Sequence, residues 1–252
     1  MVVQPESGAV ADRRSAVPSM GVPSSGTERR AATAPVARRV VKWRGGRGLP
    51  GYVKPLVWVI ALTPAALLLA GFFRDDLGAN PIEKITNWTG YWTLCLLTAS
   101  IAVSPLRRLT GYNPIIKLRR PIGLFAFFYA TLHFLTYIVL DQFFAFQYIV
   151  EDIIERPYIT VGFTAFLLLI PLAVTSTTGW IRRLGKRWTQ LHRLVYIIVP
   201  LGVLHFYWKV IAKAFQIDVL VFAILVGGLL LFRLPAWRKR RQASMSSASA
   251  VS

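Results

Sequence analysis

Six apolar stretches divide the chain between residues 55 and 232, and they constrain its fold more than any other feature. They run over 55–73, 88–106, 122–140, 158–175, 191–208 and 217–232. Each approaches the roughly 20 residues that an α-helix needs to cross a hydrocarbon core. In lipid, every backbone N–H and C=O must be paired within its own segment, so each stretch is predicted to be a helix. The expected fold class is an all-α integral membrane protein, a six-helix transmembrane bundle over 51–235. Composition agrees, because only 16% of residues are charged where a soluble domain carries about 25%. The eight tryptophans fall mostly at or near segment ends, where aromatic belts form. Pro64, Pro171 and Pro200 are expected to kink their helices, and Gly227–Gly228 to mark a close helix contact.

The charge pattern sets the expected orientation. The chain holds 30 Lys and Arg against 11 Asp and Glu, a net charge of +19. Ten of the basic residues precede the first span, five lie in 107–121 (Arg107, Arg108, Lys117, Arg119, Arg120), and four lie in 176–190 (Arg182, Arg183, Lys186, Arg187). Five more follow the last span. The alternate loops carry the acids instead: Asp75, Asp76 and Glu83 in 74–87, and Asp141, Glu151, Asp152 and Glu155 in 141–157. The positive-inside rule then places both termini and the two basic loops in the cytoplasm. The excess charge serves topology and anionic lipid headgroups, and nucleic acid is not an expected partner. Residues 1–50, rich in Ala, Ser, Pro, Gly and Arg, are expected to form a disordered basic tail, and 236–252 a basic and polar one. No apolar run follows the start closely enough for a secretory signal; an Arg-rich organelle presequence is the alternative for the tail.

The chemistry-bearing residues are few. The single cysteine, Cys95, excludes an internal disulfide and any Cys-rich metal cage, and it reads as a small buried apolar residue. No GxSxG or HExxH element supports a hydrolase. All three histidines, His133, His192 and His205, sit on the third and fifth apolar segments. Ionisable groups inside a bundle are costly and mark function. His133 lies about 18 Å along its helix from the inner edge, and His205 about 20 Å beyond His192. The two therefore reach similar depth from two helices, which suits a flat macrocycle with an axial imidazole on each face: haem b, one or two copies. No CxxCH motif is present for covalent attachment. Arg119 lies fourteen residues before His133, within about 40° of the same helix face. It is a poor iron ligand but a good partner for propionates. His192 has no histidine to pair with at its own level. It could ligate a second iron, share a site, or bind a propionate or a quinone. The basic run 182–193 around it offers an anion site for propionates or a flavin phosphate. Among the aromatic residues near His133, Phe125, Phe127, Phe128, Tyr129, Phe134 and Tyr137 could line a macrocycle, pack in the core or face lipid.

Several segments carry a resemblance. RRPIGLFAFFYATLHFLTY (119–137), RPYITVG (156–162), TSTTGWIRRLGKRWTQLHRLVYI (175–197), LHFYW (204–208) and NPIEKITNWTG (80–90) resemble the MsrQ (YedZ) family. This is the haem-binding membrane subunit of a periplasmic methionine-sulfoxide reductase system, within the ferric-reductase-like transmembrane group. The resemblance spans about residues 55–235. It implies a b-type cytochrome of the bacterial inner membrane, an electron-transfer subunit whose catalytic chain is separate. Electrons would come from the quinone pool or a cytoplasmic flavin reductase and pass to a periplasmic molybdopterin subunit, MsrP, as a heterodimer. It also implies FMN, metal-ligand roles for His133, His192 and His205, and cofactor-binding roles for Arg119 and Arg187. Larger ferric reductases carry two histidines on each ligand helix and a soluble nicotinamide domain. Arg119 stands where one of those histidines would be. The rival readings are a metalloreductase built on the same core and a transporter that uses the histidines as proton relays.

Overall fold

A computed structural model describes residues 48–211 and 217–233. The tails expected at 1–50 and 236–252 lie outside these residues, apart from 48–50. The described chain is helical: α1 (Val53–Phe73), α2 (Pro81–Thr110), α3 (Arg119–Leu135), α4 (Phe146–Glu155), α5 (Pro157–Val174), α6 (Thr178–Leu184), α7 (Lys186–Leu191), α8 (Val195–Ile211) and α9 (Ile217–Leu231). A 3-10 turn at Asn113–Leu118 leads into α3, and a π-helical turn at Thr136–Asp141 extends it. A 3-10 turn at His192–Leu194 joins α7 to α8. Five continuous stretches are long and apolar enough to cross a membrane: Val53–Phe73, Pro81–Thr110, Asn113–Asp141, Pro157–Val174 and Lys186–Ile211. The sixth expected span corresponds to α9, whose 15 residues measure about 22 Å, short of a roughly 30 Å hydrocarbon core.

Sequence chemistry explains the helix ends. Asn80 caps α2 by accepting from the Glu83 backbone N–H at 3.1 Å, with Pro81 at the first helical position. Gly111 ends the helix with φ 67°, a left-handed conformation that needs no Cβ. Most threonine hydroxyls within the spans are satisfied locally, as where Thr86 donates to the Ile82 carbonyl at 2.8 Å and Thr131 to Phe127 at 2.9 Å; the buried Thr98 hydroxyl is an exception. The amphipathic helix α4 fills what the sequence suggested was a plain loop. Asp152 on α4 accepts from Tyr137 Oη at 3.0 Å and Gln142 Nε2 at 2.8 Å, and pairs with Arg156 Nε at 3.1 Å. These bonds tie α4 to the π-helical turn and to the start of α5.

Helices α2 and α3 pack together most extensively, followed by α5 and α8. Lipid tails are as apolar as Leu, so association rests on close packing rather than on the hydrophobic effect. Small residues permit it: a Cβ on Gly123 would meet Ser100 Oγ at 3.6 Å, and Ala126 is fully buried. Leu97, Ile101, Ala126, Leu169, Ile198 and Val199 form the centre of the core. Gly227 and Gly228 correct an expectation, since nothing lies within 4 Å of a Cβ built on either. They do not make a close helix contact; Gly227 lines an open apolar groove between α8 and α9. Cys95 is half-buried rather than buried.

Pro64 interrupts the hydrogen-bond ladder of α1, and Tyr129 of α3 repairs the neighbouring rung. Its hydroxyl accepts from Ala65 N–H at 3.0 Å and donates to the Ala61 carbonyl at 2.7 Å. Tyr129 is fully buried. Removing this hydroxyl leaves a donor and an acceptor unpaired where no water reaches them. Tyr129→Phe is expected to cost about 1–3 kcal/mol, measured as a fall in thermal stability in detergent. An unchanged melting temperature would contradict this role.

Candidate functional site

The two tightest helix pairs each hold one histidine, and they hold it in the same way. On the α2/α3 pair, His133 Nδ1 lies 2.9 Å from the Thr86 carbonyl. On the α5/α8 pair, His205 Nδ1 lies 2.7 Å from the Tyr158 carbonyl. A carbonyl only accepts, so both rings carry their proton on Nδ1 and present the Nε2 lone pair. Four residues beyond each carbonyl stands a glycine. A Cβ on Gly90 would come within 3.0 Å of His133 Cε1, and one on Gly162 within 2.6 Å of His205 Nδ1. Each imidazole thus seats against a bare helix backbone, its tautomer and orientation fixed from behind.

The ring centroids of His133 and His205 lie 6.0 Å apart, with planes inclined at 78°. That separation leaves room for one metal ion bonded to a nitrogen of each ring, at about 2 Å per bond. Both rings border a cavity of about 670 Å³. Its walls are apolar and aromatic, including Leu94, Leu97, Phe134, Phe163, Phe166 and Ile198. Phe134 stacks on Phe166 at 4.6 Å. The rim carries Lys84, Arg156 and Lys209 together with Glu83, Asp141 and Asp218. Two neutral imidazoles on one cavity, aromatic walls and cationic rim groups fit a macrocycle that carries carboxylates.

The remaining sequence-derived candidates lie elsewhere. Of the six aromatic residues near His133, Phe134 and Tyr137 line the cavity. Tyr129 bridges to α1, Phe125 packs edge-on to Trp58 at 5.1 Å, and Phe127 stacks on Phe166 at 6.1 Å. His192 does not line the cavity. It stacks on Trp188 at 4.0 Å, with Nδ1 3.1 Å from the Trp188 carbonyl and Nε2 3.4 Å from Ser176 Oγ. Its offset of thirteen residues from His205 turns it about 140° away on a helix. Arg119 does not line the cavity either; Nη2 donates to Tyr196 Oη at 3.2 Å. Arg187 is exposed on α7. Sequence reasoning missed Thr86, Gly90, Tyr158 and Gly162. Their signal was available as a carbonyl and a glycine spaced i, i+4 on the helix facing each histidine.

The described stretches long enough to span and the histidine-lined cavity define a multi-pass membrane protein of the ferric-reductase-like class. The family model for the ferric reductase like transmembrane component matches residues 57–203. The chain belongs to the MsrQ family within that class. It is 50% identical over 190 residues to the protein-methionine-sulfoxide reductase heme-binding subunit MsrQ of Herminiimonas arsenicoxydans, covering 75% of this chain and 87% of that one. It is 53% identical over 187 residues to the protein of the same name from Rhodospirillum rubrum, covering 73% and 89%. A third, from Ralstonia nicotianae, is 47% identical over 196 residues, covering 77% and 90%.

Proposed function

We propose that this chain is a b-type cytochrome that carries electrons across the bacterial inner membrane to a periplasmic methionine-sulfoxide reductase. The observation that carries this reading is the opposed pair His133 and His205, each fixed with Nε2 outward at a ring separation of 6.0 Å. The names of the relatives, heme-binding subunits of such a reductase, support it. Haem b, when bound, supplies a one-electron iron couple. His133 and His205 would hold its iron. The carbonyls of Thr86 and Tyr158 raise the basicity of both rings and keep them from turning. Phe134, Phe163 and Phe166 exclude water from the cavity. Lys84, Arg156 and Lys209 at its rim suit the propionates.

The rest of the reading concerns the two ends of the route. The charge asymmetry supports six crossings with both termini cytoplasmic, in which α9 is the sixth span. Electrons would enter at the basic end from quinol or a cytoplasmic flavin reductase. There His192 is a candidate ligand for a second iron, and Arg119 and Arg187 are candidate partners for anionic cofactor groups, haem propionates or an FMN phosphate. They would leave at the rim of the histidine cavity toward a molybdopterin catalytic subunit of the MsrP kind. To test this, the purified chain is reduced with dithionite, and the partner is added with methionine sulfoxide. Rapid reoxidation only with both present is the expected result. Reoxidation by ferric citrate but not by the partner would favour the metalloreductase reading instead, which the family description also accommodates.

A further inference from the structure

At the end of the bundle away from the histidine cavity, two guanidinium groups lie against one phenol ring. Arg119 lies 5.7 Å from the Tyr196 ring centroid and Arg233 lies 4.5 Å from it. Arg233 is buried, at 9% exposure, although it stands just past the end of α9. Its Nη2 reaches the Ile101 carbonyl at 3.4 Å, a long bond that leaves most of its five donors for other partners. Burial, then the charges of Arg119, Arg108 and Arg107, pull the Arg233 guanidinium down to about 10. A buried cation with other cations beside it favours an anion, since an uncompensated buried charge is strongly unfavourable; Arg233 is buried and Arg119 half-buried. The basic connections 107–121 and 176–193 contain no Asp or Glu. The eight acids after residue 50 fall in or beside the connections at the other end.

We infer that Arg119 and Arg233, both against the Tyr196 ring, form a binding site for a phosphate group. The inference deepens the reading of Arg119 as an anion-binding residue and adds Arg233, and it does not depend on the haem. Guanidinium forks match phosphate oxygens in pairs, and the Tyr196 hydroxyl, already engaged by Arg119, holds that fork in place. The phosphate could come from an acidic phospholipid headgroup or from free phosphate. The polar position at a helix end suits the first, and the competition below separates the two.

The full chain, purified with its bound cofactors, is exchanged into nanodiscs of phosphatidylglycerol and phosphatidylcholine. Retained phospholipid is then counted by native mass spectrometry. Wild type is expected to retain phosphatidylglycerol selectively. Arg233→Gln is expected to weaken retention by about tenfold or more, the loss of a charge-assisted pair, while haem content per chain stays unchanged. Arg233→Lys should recover part of the binding. Arg120→Gln, at an exposed basic position, should change nothing. In the double variant, Arg119→Gln should add little to Arg233→Gln, because the two act on one ligand. Displacement of the lipid by millimolar inorganic phosphate, with phosphate binding in its place, assigns the site to free phosphate and still supports it. Equal losses in Arg233→Gln and Arg120→Gln would overturn the proposal, as would a wild type that retains neither phosphate source.

Discussion

His205→Ala is expected to abolish haem binding in the cavity while leaving the protein in the membrane. The imidazole is one of two opposed nitrogen donors and has no substitute, because the third histidine is stacked on Trp188 outside the cavity. The Soret absorbance contributed by haem in this cavity is expected to fall by about tenfold or more. Insertion depends on the apolar character of the spans, which alanine preserves or improves. Membrane fractionation with a visible-range spectrum reads both outcomes. An unchanged Soret band in a normally inserted variant would remove His205 from the site. His133→Ala should behave alike, whereas His192→Ala should leave this band largely intact.

The second large effect comes from a residue with no side chain. In Gly162→Ala the added methyl would stand 2.6 Å from His205 Nδ1 and 2.8 Å from Cε1, distances that real Cβ atoms do not adopt. The neighbouring atoms belong to a ring held by a helix, so the imidazole must swing off the Tyr158 carbonyl and lose its orientation. Disturbing a partner that orients a metal ligand costs about 10- to 100-fold in affinity, and Gly162→Ala is expected at the upper end. Gly90→Ala places its methyl 3.0 Å from His133 Cε1 and 3.1 Å from Nδ1. A shift of a few tenths of an ångström relieves that contact, so the loss should be smaller. Haem titration of the two variants checks the order. Equal affinities, or a weaker Gly90→Ala, would show that these glycines do not seat the rings.

Much of the site was legible because its physics is one-dimensional. Histidines are scarce, and each step along a helix advances a fixed distance, so the similar depth of His133 and His205 followed from counting residues. The angular offset of His192 from His205 also followed, and it matches the removal of His192 from the cavity. What could not be read depends on which helix faces which. Gly90 and Gly162 are ordinary glycines until α2 is placed against α3 and α5 against α8. The Tyr129 bridge requires α1 beside α3. Arg233 read as tail charge, and only its return onto Tyr196 sets it beside Arg119. Helix α4 was missed because its 10 residues carry three acids and no long apolar run. The Gly227–Gly228 pair misled in the other direction: small residues permit close approach without requiring it.

The central claim is that iron sits between the imidazoles of His133 and His205. Electron paramagnetic resonance of the oxidised, purified protein tests it most directly. Two axial imidazoles whose planes cross at 78° should give a low-spin ferric signal of the highly anisotropic kind, and this signal should vanish in both His133→Ala and His205→Ala. A high-spin signal from wild type, or a low-spin signal that survives either substitution, would contradict it.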